Sequence, residues 1–287
     1  MSPKFVFFGT PQFSVIILEE LAAAGLLPNF VVTAPDKPAG RGMELTPPPV
    51  KIWALKHSIP VLQPEKLDED FVSKLLTADC NLFLVAAYGK ILPKSVLDIP
   101  IRGAVNVHPS LLPYYRGASP IESQILADEK SVGVSIMLMD ELMDHGPLLA
   151  LELVTIPDWP VGKKKLTDIL AHAGGKALAQ VIPEWIAENI KALPQNHEQA
   201  TFTKKIEKED GEIDLSASAR ENYLKYLAYE GWPGTYFFVE KNGTPLRVKI
   251  AEASLKDSEF LIKRVIPEGK SEMSYEDFVR SVNISAK

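Results

Sequence analysis

"FVFFGTPQFSVIILEELAAAG", residues 5–25, decides the fold class. Its first five residues are continuously apolar and stop at Gly9, the pattern of a strand covered on both faces. Pro11 then opens, and Gly25 closes, a run with helical spacing. "FVVT" (30–33), "LFLVAA" (82–87), "AVNVH" (104–108) and "GVSIMLM" (133–139) read as further strands. Helical stretches lie near 50–57, 68–77, 119–127 and 163–187. Apolar strands separated by helices predict an α/β, Rossmann-like, mostly parallel sheet with helices on both faces. Ligands of such sheets sit beyond the carboxyl ends of the strands.

The pattern changes near Ile190. Residues 1–189 are expected to form the main domain, the polar, aperiodic stretch 190–202 a linker, and residues 203–287 a small α+β or barrel-like domain. That second part offers helices over 217–228 and 274–282 and, between two β-like runs, the hairpin signal "KNG".

Bulk properties exclude more than they assign. With 31 Lys+Arg against 37 Asp+Glu, the chain carries a net charge of −6, and neither part has the basic excess of a typical nucleic-acid binder. No signal peptide is read at Met1–Gly9, and no apolar run approaches the roughly 20 residues that span a bilayer. A single cysteine, Cys80, allows no internal disulfide and reads as a core thiol. A cytoplasmic protein is expected, with a monomer as the default.

The chemistry-bearing stretch is "VNVHPSLLPYYRG", residues 105–117. Asn106 and His108 fall on one side of a strand, at its carboxyl end. An imidazole suits proton transfer near neutrality, and an amide NH2 suits an oxygen gaining negative charge. The carboxylate that would orient the imidazole is Asp144, in the loop "MDELMDHGPLLA". Such a set has an electrophile stabiliser, an acid/base and an orienter but no evident covalent nucleophile, which points to direct group transfer. Other readings stay open. Ser110 is a nucleophile or, lacking a Gly-X-Ser-X-Gly elbow, a turn hydroxyl. The Asn-X-His pair is a strand-end hydrogen-bonding device. His108, Asp144 and His145 are metal ligands only if an unfamiliar spacing is allowed; no metal is expected. "FFGTP" is no dinucleotide fingerprint.

Longer words carry a resemblance. "NVHPSLLPYYRGASPI" and the Asp in "MDHG" resemble the signature of the 10-formyltetrahydrofolate-dependent formyltransferases. "FFGTPQFSVIILEEL", the loop "APDKPAGRGMELTPPPVK" (34–51), "KKIEKEDGEIDLSASA" with "GWPGTYFF", and "GKSEMSYEDFV" are similar to the methionyl-tRNA branch, over nearly the whole chain. The resemblance implies transfer of a formyl group from 10-formyltetrahydrofolate to the methionine amine of initiator methionyl-tRNA. It implies Asn106, His108 and Asp144 as catalytic residues, Ser110, Leu111, Leu112 and Pro113 as the folate loop, and Arg41 as a tRNA contact. It also implies an oligonucleotide-binding-like barrel for the second domain. The segment after "IAEASLKDSEFLIKRV" is short for that family, so a reduced, open barrel is expected, and "YEGWPG" departs from the usual Asn-Pro. The rivals are a formyltransferase acting on a nucleotide-linked amino sugar, a hydrolase of the folate donor, and a non-catalytic RNA-binding relative.

Overall fold

The computed structural model describes residues 3–39, 43–241 and 243–282. They form two compact units, Met1–Gly117 with Ser131–Thr155 and Thr167–Thr203, and Ala118–Lys130 with Ile156–Leu166 and Lys204–Lys287.

In chain order the first stretch gives β1 (Phe5–Gly9), α1 (Gln12–Ala23), β2 (Phe30–Val32), β3 (Lys37–Ala39), β4 (Glu44–Thr46), α2 (Pro49–Lys56), β5 (Val61–Leu62), α3 (Glu69–Leu76), β6 (Leu82–Ala86), α4 (Lys94–Leu97) and β7 (Ala104–His108). There follow β8 (Arg116–Gly117), α5 (Pro120–Leu126), β9 (Val132–Leu138), β10 (Leu148–Val154), α6 (Lys163–Ile186) and β11 (Phe202–Thr203). Seven strands make the main sheet, in the order β10-β9-β7-β6-β1-β2-β5.

β1 lies inside that sheet and shows why its run is apolar throughout. Phe5 and Phe7 enter one core with Ile17, Leu18 and Leu21 of α1, whereas Val6 and Phe8 enter the other with Phe71 and Leu75 of α3. Alternation places neighbours on opposite faces, so a strand covered on both sides must be apolar at every position. Each buried phenylalanine contributes about 1.5–3 kcal/mol. Cys80 packs half-buried against the second core, and burial pushes its thiol up.

Five strands, from β5 to β7, are parallel as expected, but β9 pairs antiparallel with β7 and β10 antiparallel with β9. The reason is the connection. A parallel return needs a crossover helix, and between β7 and β9 the chain holds only the short α5, which belongs to the second unit. β10 is an edge strand with Leu151, Glu152 and Leu153 exposed; its sequence carries no strand signal. Nor is 190–202 a loose connection. Leu193 forms a two-way bridge with Leu148, and Gln195 is buried.

The second unit holds α7 (Ala219–Ala228), started by a capping box of Ser218 and Glu221. The antiparallel sheet β12 (Tyr236–Lys241), β13 (Thr244–Lys256), β14 (Glu259–Pro267) and β15 (Met273–Ser274) follows, and α8 (Tyr275–Val282) closes it. Its core gathers Phe237, Val248, Ile250, Val265 and Phe278. This is the small antiparallel β domain that the short tail led one to expect.

α6 is seated by a close approach. A Cβ on Gly174 would lie 2.6 Å from Cγ1 of Val107, the residue between Asn106 and His108. Gly174→Ala therefore sets helix propensity, a gain of up to about 1 kcal/mol, against overpacking of about 1–3 kcal/mol. We expect Gly174→Ala to lower the melting temperature. An unchanged or raised midpoint would show that α6 yields at no cost.

Candidate active site

β7 carries Asn106 and His108 on the same side, with Val107 between them in the core beneath α6. His108 is 4% exposed and Asn106 half-buried. Past His108 the chain doubles back. Ser110 N–H donates to the His108 carbonyl at 2.9 Å, and the Ser110 hydroxyl to the Tyr114 carbonyl at 2.6 Å. Ser135, paired with His108 across β9, donates its hydroxyl to the Ser110 carbonyl at 2.6 Å and accepts from Leu112 N–H at 2.9 Å. The loop thereby turns the Tyr115 carbonyl to within 3.0 Å of His108 Nε2.

This geometry sorts the loop residues. Ser110 is fully buried and its hydroxyl is spent bracing the turn, so the nucleophile alternative gains nothing. Leu112 is buried as well; Leu111 and Pro113 are half-exposed and supply the apolar surface.

Asp144 comes from the loop between β9 and β10. Its Oδ2 accepts from Gly117 N–H at 2.8 Å, and its Oδ1 stands 3.5 Å from His108 Nδ1. Two glycines make this possible. Gly117 has φ +116° and runs so close to β11 that a Cβ would meet the Thr203 carbonyl oxygen at 2.7 Å. At Gly146 a Cβ would lie 2.0 Å from the Leu138 carbonyl oxygen, which leaves no room for any side chain. His108 thus has a carbonyl oxygen at one ring nitrogen and a carboxylate at the other. A neutral ring donates from one nitrogen only, a protonated ring from both. The site therefore offers an oxygen to each of the two ring nitrogens. His108, Asp144 and His145 do not gather into a metal-ligating cluster among the described residues.

Beside these groups the sheet opens. Val85 of β6 stands opposite Asn106, and β6 ends one residue further on, at Ala86. Ala87 lines a cleft of about 490 Å³ at the carboxyl ends of β1, β2 and β6, together with Thr10, Pro11, Pro35, Lys37 and Tyr88. Burial pushes the Tyr88 hydroxyl up to about 12, so it stays protonated near neutral pH.

Sequence reading gave Arg116 and His197 no role. The Arg116 guanidinium, 3% exposed, donates to Gln195 Oε1 at 2.6 Å and meets His197 Nδ1 at 3.0 Å. His197 stacks on His145 with ring centroids 4.0 Å apart, and His145 Nδ1 lies 2.6 Å from Asp140 Oδ2. Arg116 sits inside the quoted "YYRG", where an arginine beside a glycine was a readable signal; a lone histidine in a polar stretch was not. Arg41, with Gly40 and Gly42, lies outside the described residues. On either side of them β3 and β4 pair antiparallel, Ala39 opposite Glu44.

The α/β sheet thus gathers an imidazole, a carboxylate facing it and an amide at its strand ends, with the Ser110 hydroxyl consumed in a turn, an arrangement suited to direct group transfer. Residues 3–182 match the formyl transferase family, and residues 205–261 match the formyl transferase carboxyl-terminal domain. A methionyl-tRNA formyltransferase from Chloroflexus aurantiacus is 48% identical over 88% of this chain and 81% of its own length. One from Bacillus subtilis is 39% identical over 99% and 96%. The chain belongs to the methionyl-tRNA formyltransferase family. Among solved structures, a methionyl-tRNA formyltransferase from Clostridium thermocellum superposes with a TM-score of 0.63 at 15% identity, over 92% of this chain and 98% of that one. A sugar N-formyltransferase from Shewanella gives 0.65 at 16%, over 89% and 100%. At such identities the likeness is one of fold.

His197 yields a pH prediction. Partial desolvation, then His145 and Arg116, hold it below its ordinary 6.5, with Asp140 opposing. A histidine depressed in the folded state binds its proton more strongly when unfolded. Its contribution to stability is complete above about pH 6.5 and is lost as pH falls through 6.5 towards the lower folded value. Denaturant melts from about pH 7.5 to 5.5 should lose stability more steeply in the parent than in His197→Gln. Equal slopes would remove His197 from the balance.

Proposed function

We propose that the protein transfers the formyl group of 10-formyltetrahydrofolate to the α-amino group of methionine on initiator methionyl-tRNA. The observation that carries this reading is the His108 imidazole set between the Asp144 carboxylate and the Tyr115 carbonyl, with Asn106 beside it on the same strand. Two facts support the fit of a folate donor. Leu111 and Pro113 offer half-exposed apolar surface next to His108, and the cleft at the neighbouring strand ends is roomy enough for a small molecule or a nucleotide end.

In this reading the methionine nitrogen bonds to the formyl carbon, the bond from that carbon to the folate nitrogen breaks, and the amine's proton is passed on to that nitrogen. Asn106 donates its amide hydrogen to the formyl oxygen as charge builds there. His108 supplies the proton to the departing nitrogen, and Asp144 holds the imidazolium and draws the proton from the amine. All three come from one chain, so a monomer suffices. The reading belongs to the cytoplasm, where charged tRNA is used. Arg41 is assigned to the tRNA on sequence grounds, as the one cation between two glycines in a proline-flanked loop.

The test is formyl transfer to initiator and elongator methionyl-tRNA. His108→Ala and Asn106→Ala should each lower turnover by about 10²–10⁴-fold. Transfer that favours the initiator and collapses in both variants is the expected result; a folded protein that binds folate yet formylates neither tRNA would defeat the proposal. Arg41→Ala should weaken use of the tRNA and leave folate binding in place. Equal loss of both would withdraw Arg41 from tRNA recognition.

A further inference from the structure

The carboxylate that faces His108 is held by a residue far along the chain. Asp144 lies at φ +50°, an uncommon backbone conformation that aspartate tolerates better than most residues. The residue that holds it is Gln195. Its Nε2 donates to the Asp144 carbonyl at 2.9 Å and to the Gly146 carbonyl at 2.7 Å, gripping the loop on both sides of His145. Its Oε1 accepts from Arg116 at 3.2 Å through Nε and 2.6 Å through a terminal nitrogen. With two carbonyls at one end and two N–H donors at the other, the amide can face only one way. Gln195 is only 5% exposed and its amide is committed at both ends, so it acts through its neighbours.

The chain around Gln195 grips the other half of the site in the same manner. Leu193 exchanges backbone hydrogen bonds with Leu148 just past the Asp144 loop, at 2.7 and 2.8 Å. The Thr201 hydroxyl accepts from Tyr115 N–H at 2.8 Å, and the Thr201 carbonyl from Arg116 N–H at 2.9 Å. Tyr115 is the residue whose carbonyl faces His108 Nε2. Residues 193–203 therefore clasp both backbone segments that aim groups at the imidazole.

We propose that Gln195, backed by Arg116, is a positioning residue for the transfer: its amide fixes the Asp144 loop so that the carboxylate faces His108. This rests on the reading of Asp144 and His108 given above. A misplacement of about 1 Å at a reacting group costs on the order of 10²-fold in rate. Substrate contacts are untouched by a change at Gln195, so turnover bears the loss and the Michaelis constants do not.

The experiment is a double-mutant cycle in the formyl-transfer assay. Gln195→Met keeps the length of the side chain and removes both polar ends. Gln195→Glu keeps the acceptor for Arg116 and removes the donor to the two carbonyls, which gives a second variant should the first fail to fold. Each is measured alone and combined with Asp144→Asn. We expect kcat to fall by about 10–10²-fold in each single Gln195 variant at unchanged KM for both substrates. The same substitution should be nearly silent once Asp144 is Asn, because the group it positions is already lost. Full activity of the Gln195 variants, or a loss that multiplies undiminished with Asp144→Asn, would overturn the proposal and leave the reading of the site intact. Full activity of Asp144→Asn by itself would instead overturn that reading, and the role of Gln195 with it.

Discussion

Everything at this site turns on bringing one carboxylate opposite one imidazole. His108 ends a strand of a rigid sheet, but Asp144 rides on a loop, and loops hold position only where their backbone groups are tied. Here the ties are the Gly117 N–H on the carboxylate and the Gln195 amide on the carbonyls of Asp144 and Gly146. They work only because Gly117 and Gly146 let backbone pass where a Cβ would collide. A sheet packed on both faces supplies the fixed frame, and a few short hydrogen bonds set the moving part against it.

The electrostatics follow from that placement. His108 is nearly buried between two acceptors, and the Arg116 guanidinium is turned towards Gln195 and His197. Burial lowers the guanidinium's hold on its proton, and the Asp144 and Asp140 carboxylates offset that only in part. Arg116 is thus a structural charge, compensated by acceptors on several sides, as a buried cation must be.

How much of this could be read in the sequence depends on the range of the interaction. β1 and α1 were legible because strand burial on two faces and helix punctuation by Pro11 and Gly25 are local matters. β7 was legible for the same reason, and with it the pairing of Asn106 and His108 on one side. The direction of β9 was not, since it depends on where the chain between β7 and β9 goes. Ser110 illustrates the middle case: its lack of an elbow motif favoured a turn hydroxyl, and the turn is where it lies. Gln195 was invisible. A single glutamine in a polar run has no pattern, and its worth comes from two carbonyls about fifty residues earlier. The second unit was read at the level of its helices and hairpin, with the short tail accounting for its four-stranded sheet.

The stretch 193–203 also bears on how such enzymes can be taken apart and recombined. It precedes the last and longest segment of the second unit, Lys204–Lys287, and by composition it would be assigned to neither part. Yet it is woven through the transfer site by Leu193, Gln195 and Thr201. The last boundary between the two units lies after Thr203, not at the end of α6. A chimaera that joins the first half of this protein to the second half of a relative keeps its own reaction centre only when the crossover falls beyond that point.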